Sequence, residues 1–170
     1  VNVNKTYKII KPIMLVIIVL LAIIGALSLY NAAYKQLMST EYAFLFDYST
    51  HEVIEENMSP DFDRGDLAII KRDYIYNEGD TIIYNYKGSY RMGTITEHTA
   101  GKYVVSDKLN TTDPEYEITD ALVMGKAVSK IKNFAGVYNV ITSTYMMIGI
   151  IIFIGAYFFL TMNEKPKTYI

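Results

Sequence analysis

The chain has 170 residues, 51% of them hydrophobic, with a formal net charge of −2, 16 tyrosines, no tryptophan and no cysteine. The lack of cysteine excludes a disulfide framework, and two histidines with no thiolate leave zinc or iron without a ligand set, so neither a metal nor another cofactor is expected. Between residues 35 and 135, acidic residues outnumber basic ones 17 to 11, which argues against nucleic acid as a partner because that binding rests on neutralising phosphates.

In chain order, residues 1–11 carry Lys5, Lys8 and Lys11, and Pro12 to Leu29 follows as eighteen residues without a charge. At about 1.5 Å of rise per residue, such a run suits a hydrocarbon core about 30 Å thick. It predicts a transmembrane helix over 12–34. A cleaved signal peptide is the competing reading, given the small residues Ala26, Ser28, Ala32 and Ala33. The apolar run is at or beyond the usual length of a signal-peptide core, which favours a retained anchor. A second uncharged stretch, Met146 to Met162, is extended backwards by "VYNVITSTY" and predicts a second transmembrane helix over 137–162. The tail 163–170 carries Lys165 and Lys167. Basic residues outside both spans place both termini in the cytoplasm and residues 35–136 outside the cell membrane. Tyr30, Tyr34 and Tyr138 near the outer ends, with Tyr169 beyond the inner one, fit an interfacial belt, so membrane lipid is an expected partner.

Residues 35–136 read as an all-β domain. "LAIIKR", "TIIYNY", "YRMGTIT", "KYVVS" and "ALVMGKAVSKI" are short runs rich in Ile, Val, Tyr and Thr, and turn residues such as Arg64-Gly65-Asp66, Glu78-Gly79-Asp80 and Lys87-Gly88-Ser89 separate them. The fold class expected is mainly β, a small all-β extracytoplasmic domain between two transmembrane helices.

Three boxes carry more specific information. "NMSPDFDRGDLAII" (Asn57 to Ile70), "NEGDTIIY" (Asn77 to Tyr84) and "VMGKAVSKIKNFAG" (Val123 to Gly136) resemble, in order and spacing, the type I signal peptidases of the archaeal and endoplasmic-reticulum kind, which also occur in Gram-positive bacteria. That family has Ser-Met-x-Pro before an Arg/Lys-Gly-Asp turn, a second Gly-Asp before an apolar strand, and Gly-Lys-Val-x-x-x-Ile before a membrane helix. The resemblance covers about residues 40 to 136.

The catalytic positions depart from the family. Where the family has its serine nucleophile this chain has Asn57, and an amide has no hydroxyl to attack a carbonyl. The family's His-Arg base position falls on Tyr90-Arg91, and a phenol at neutral pH is a donor and not a base. The acid position falls on Asp107, without the surrounding lysine and glycine. Glu55 and Glu56 stand where small polar residues would help to hold the oxyanion, and two carboxylates beside a developing negative charge raise the barrier. The resemblance therefore implies a degenerate signal-peptidase-like protein, a pseudoenzyme, with Glu55, Glu56, Asn57, Met58, Pro60 and Arg91 left to hold an extended peptide by strand addition. Relatives lacking the catalytic residues are associated with surface pilus assembly, so the implied partner is a pilin-like subunit or a preprotein. The alternative is an active signal peptidase with an atypical catalytic set.

Other candidates are weaker. Ser59 lies two residues beyond the nucleophile position, about 6.5 to 7 Å away in an extended chain. His98 reads as a solvated residue beside a hairpin turn, and His51, before the strand leading to Asn57, as a residue near the membrane surface rather than in the site. Asp61, Asp63 and Asp66 lack the spacing and terminal glutamate of a calcium loop and read as turn formers. Asn110-Thr111-Thr112 is a glycosylation-type tripeptide.

Overall fold

A computed structural model describes residues 3–56, 58–106 and 116–162, with side chains from residue 12 to residue 159 within them. Two compact units result: Val1–Ala33 with Asn139–Ile170, which is helical, and Tyr34–Tyr138, which is built on a sheet.

The helical unit begins with α1 (Val3–Met38). Its stretch Pro12–Met38, 27 residues, is long and apolar enough to cross a membrane, at about 40 Å of helix. The second apolar segment is broken into α2 (Ala135–Ile141) and α3 (Thr144–Met162), bent by 49°. The cause is local. Ser143 Oγ donates to the Val140 carbonyl at 2.8 Å and accepts the Met146 N–H at 3.2 Å, so it closes one helix and caps the next. In place of the two unbroken spans predicted from the sequence, the described residues thus contain one spanning-length helix and a bent pair. Ile150 and Ser28 are buried within this unit, and a methyl group on Gly25 would lie 3.7 Å from Ile150 Cγ2, so α1 and α3 touch through small residues.

The second unit is a seven-stranded, wholly antiparallel sheet. Its strands are β1 (Tyr48–Glu52), β2 (Leu67–Lys71), β3 (Thr81–Tyr86), β4 (Ser89–Thr99), β5 (Lys102–Ser106), β6 (Tyr116–Thr119) and β7 (Val123–Ile131), in the spatial order β1-β2-β7-β3-β4-β5-β6. The short β-rich runs of the sequence become these strands. Successive residues of a strand point to opposite faces, and on β3 Ile83 joins one core while Ile82 and Tyr84 join another. The first core holds Tyr42, Phe44, Val53, Met58, Phe62, Ala68, Ile70, Ile83 and Met92; the second holds Tyr76, Ile82, Tyr84, Ile95, Tyr103, Val105 and Ile118. Burial on both faces explains why "TIIY" reads as an apolar run without alternation.

Eleven-residue β4 ties the halves together: Ser89–Thr94 pairs with β3, and Thr94–Thr99 pairs with β5 past a bulge between Ile95 and Glu97. Bulges also interrupt β2 against β7 at Ile69/Ile70 and β3 against β7 at Ile83/Tyr84, and bulges sharpen the local twist of a sheet. Gly125 belongs to that irregular region. A methyl group there would stand 2.8 Å from the Lys71 carbonyl oxygen, so only glycine fits.

The first two boxes form the same local structure. In each, the backbone N–H of the aspartate bonds at 3.0 Å to the carbonyl three residues earlier, Asp66 to Asp63 and Asp80 to Asn77, with glycine at positive φ between (Gly65 +92°, Gly79 +87°). The aspartate carboxylate accepts the N–H of that earlier residue, at 3.1 Å for Asp63 and 3.0 Å for Asn77. Each turn starts a strand that flanks β7, and each aspartate meets a lysine of β7: Lys130 at 2.9 Å from Asp66 and Lys126 at 3.5 Å from Asp80. Asp66 also accepts the Asn133 N–H at 3.0 Å, and the Gly65 carbonyl accepts the Ala135 N–H at 3.0 Å. The three boxes are therefore one packed unit centred on β7.

Candidate functional site

Beyond Glu52, β1 continues as an extended segment: the Val53 N–H bonds to the Asp66 carbonyl and the Val53 carbonyl accepts the Gly65 N–H. Side chains two apart share a face of an extended chain. A depression lies beside this continuation, with His51, Val53, Ile54 and Glu55 on one side and Tyr90, Arg91 and Met92 of β4 on the other. Here β1 is the sheet's edge strand, and the part of β4 that faces the depression pairs, among the described residues, with β3 alone.

Two of the lining residues meet Tyr42, a buried member of the first core. The Tyr42 phenol lies 2.5 Å from His51 Nδ1, and the Tyr42 ring meets Tyr90 edge-on with centroids 4.8 Å apart. Burial pushes the His51 imidazole down to about 4, against a smaller opposing pull from Glu52. Burial, helped by Tyr90 and Glu41, pushes the Tyr42 phenol far above its ordinary value. At neutral pH both groups are uncharged. A protonated phenol then donates to Nδ1, leaving the imidazole proton on Nε2.

At the rim the guanidinium of Arg91 is pulled down by desolvation, but Glu55, then Tyr116 and Tyr84, outweigh this and raise it. It stands 5.7 Å from the Tyr86 ring centre and 5.9 Å from that of Tyr116. The depression thus carries both signs of charge, on Glu55 and Arg91, beside the uncharged Tyr42–His51 pair.

The residues singled out from sequence divide. Glu55, Tyr90 and Arg91 come together around the depression, and Glu56 is exposed next to Glu55. Met58 is wholly buried in the first core, so its side chain packs the domain and is not presented to a ligand. Pro60 is exposed, and its carbonyl accepts Lys130 Nζ at 3.4 Å. Asn57, Asp107 and the tripeptide Asn110-Thr111-Thr112 lie outside the described residues. Ser59 donates its hydroxyl to Asp63 Oδ1 at 2.8 Å, which engages it away from the depression. His98 is exposed and stacks on Tyr103 with ring centres 4.7 Å apart. Eight residues of extended strand, about 27 Å, separate it from Tyr90. Asp63 and Asp66 serve the turn and its lysine, and among the described residues no cluster of three or more His, Asp or Glu could hold a metal.

His51, expected nearer the membrane surface than the site, lines this depression. Tyr42 was not singled out at all. A signal was present for the first, because positions 51, 53 and 55 share one face of an extended chain. Tyr42 joins only through tertiary packing.

No protein-family model and no curated protein matches the chain.

Proposed function

We propose that this protein is a membrane-anchored, signal-peptidase-like protein that holds an extended peptide without cleaving it, and that it serves assembly of a secreted surface fibre such as a pilus. In this reading both apolar segments cross the cell membrane, both termini are cytoplasmic, and the β domain lies outside. The observation that carries it is the depression between the continuation of β1 and the first half of β4: two strand segments flank it, its rim has a carboxylate and a guanidinium, and its one imidazole is engaged by a phenol. Backbone edges there can accept a strand, while Asn57 in the nucleophile position supplies no hydroxyl. A pilin-like subunit or a preprotein segment fits as the client.

One observation favours the hydrolytic alternative, namely the imidazole of His51 inside the depression. A single experiment separates the readings. The detergent-solubilised full-length chain is incubated with a fluorogenic signal-sequence peptide, beside an Asn57→Ser, Tyr90→His double variant and a His51→Ala variant. Saturable binding without turnover by the natural chain is the expected result. Turnover that survives removal of contaminating peptidases and is lost in His51→Ala would establish hydrolysis instead. Failure to bind the peptide would end the peptide-holding reading.

A further inference from the structure

We propose that the peptide held at the depression presents a carboxylate, and that Arg91, Lys87 and Tyr116 form the site that reads it. The inference rests on the peptide-holding reading, and goes beyond it by naming the chemistry of one group on the ligand.

The three residues meet around a pair of aromatic rings. On β4, Tyr90 and Met92 pack with the first core, so Arg91 between them points to the opposite face of the sheet. Tyr86 of β3 and Tyr116 of β6 pack against the second core on that face, with ring centres 4.6 Å apart. The Arg91 guanidinium, near both rings, donates a hydrogen bond to the Tyr116 phenol. The phenol keeps its own proton as a further donor. From the β3–β4 hairpin, Lys87 Nζ stands 5.0 Å from the centre of the same Tyr86 ring.

Lys87 occupies a strained position. With Gly88 it makes the two-residue turn between β3 and β4, and both residues are left-handed, at φ +52° and +85°. Such a turn is normally Asn-Gly, because a longer side chain is disfavoured at the first place. The Asn85 side chain already holds the turn by accepting the Gly88 N–H at 3.0 Å. Neither the backbone nor the core therefore calls for an exposed lysine there, and strain of this kind persists where function demands the side chain.

Two cations around one ring repel each other. Among the described residues, neither has a carboxylate within salt-bridge distance. Glu55 steadies the guanidinium from further away and is itself exposed. Between residues 35 and 135 acidic residues outnumber basic ones 17 to 11, so this cluster is a local exception to which an anion is drawn. The planar fork of a guanidinium matches the two oxygens of a carboxylate. The segment of β4 that carries Arg91 also borders the depression. A strand laid along it turns alternate side chains towards Arg91 and the intervening ones towards Tyr90.

The test uses labelled signal-sequence peptides with amidated C-termini, each carrying one aspartate or one asparagine at successive positions. They are titrated against the detergent-solubilised full-length chain by fluorescence anisotropy, beside the parent peptide with a free C-terminus. Aspartate is expected to tighten binding about fivefold over asparagine, at positions two apart and not at those between. Tightening by the free terminus alone places the carboxylate at the end of the peptide. In either case Arg91→Gln and Lys87→Asn should each abolish the preference, and Glu55→Gln, which removes a competing carboxylate, should increase it. Lys87→Asn suits the left-handed turn, so the melting temperature should hold or rise while the preference is lost; a lysine with only a structural role would leave the preference unchanged. Peptides that bind without preferring a carboxylate, or a preference that survives in both variants, overturn the site and leave the peptide-holding reading intact. No binding by any peptide overturns that reading and this inference with it.

Discussion

At the Tyr42–His51 pair, burial and hydrogen bonding act on a group that titrates near neutral pH. His51 is neutral in the folded chain down to about pH 4, because burial outweighs the pull of Glu52. In the unfolded chain the imidazole takes up its proton near pH 6.5. The unfolded state therefore binds the additional proton first as pH falls. Stability from this residue is complete above about 6.5 and declines between about 6.5 and 4, by on the order of 2 to 3 kcal/mol. We expect the β domain's urea midpoint to fall over that range, and His51→Gln, which cannot titrate, to flatten the slope. Asp66 acts lower on the scale. Burial raises its carboxyl, but Lys130 with the Asn133 and Asp63 N–H groups outweighs this and holds it below the ordinary carboxylate range. Its contribution is lost only as pH falls through that depressed value. A slope that persists in His51→Gln between pH 6.5 and 4 would show that the buried imidazole is not its source.

The matched Gly-Asp turns and β7 allow a similar comparison between elements. Each turn sends one aspartate to one lysine of the same strand, but burial differs: the Asp66 side chain is 2% exposed and that of Asp80 is 25% exposed. Removing one partner of a buried pair leaves an uncompensated charge and costs about 3 kcal/mol or more, while a partly exposed pair is worth about 1 kcal/mol or less. Lys130→Ala should accordingly lower the unfolding free energy by about 3 kcal/mol, less whatever the two backbone N–H groups still supply to Asp66. Lys126→Ala should cost about 1 kcal/mol or less. Equal losses would contradict the assignment of Asp66 as the buried anchor. This arrangement also marks what was readable in the sequence. Runs of Ile, Val, Tyr and Thr and the Gly-Asp turns were enough to locate β2, β3, β4, β5 and β7, since strand propensity and positive-φ glycine are local properties. Strand order, the two-faced burial of β3, the break at Ser143 and the meeting of Tyr42 with His51 depend on residues distant in the chain or on single hydrogen bonds. The boxes looked like the surroundings of a catalytic site, and much of their sequence is accounted for by packing: Gly125 by its approach to Lys71, Met58 by the core, and Asp66 and Asp80 by β7.

For the whole molecule, an anchor would hold the β domain near the membrane and leave the depression to select among the peptides that arrive there. Selection by backbone edges alone is indiscriminate, because every peptide offers the same N–H and C=O groups. If the depression holds a peptide, specificity would fall to the rim, where Arg91 is the cationic donor opposite Glu55 and beside Tyr86 and Tyr116. A guanidinium contributes about 1.5 to 3 kcal/mol through hydrogen bonds to a peptide acceptor when water is excluded, and less at a wet rim. Arg91→Ala is expected to weaken signal-peptide binding by about tenfold, equivalent to about 1.4 kcal/mol, with a small change in melting temperature because the side chain is not part of either core. Arg91→Lys should recover only part of the loss, since an ammonium lacks the planar fork that engages two acceptors together. Binding should also weaken with added salt, and less so in Arg91→Ala. Fluorescence anisotropy of a labelled signal-sequence peptide measures all three. If Arg91→Ala binds as tightly as the natural chain at every salt concentration, the rim does not select the peptide. His51 and Tyr90 would then be the part of the depression that does.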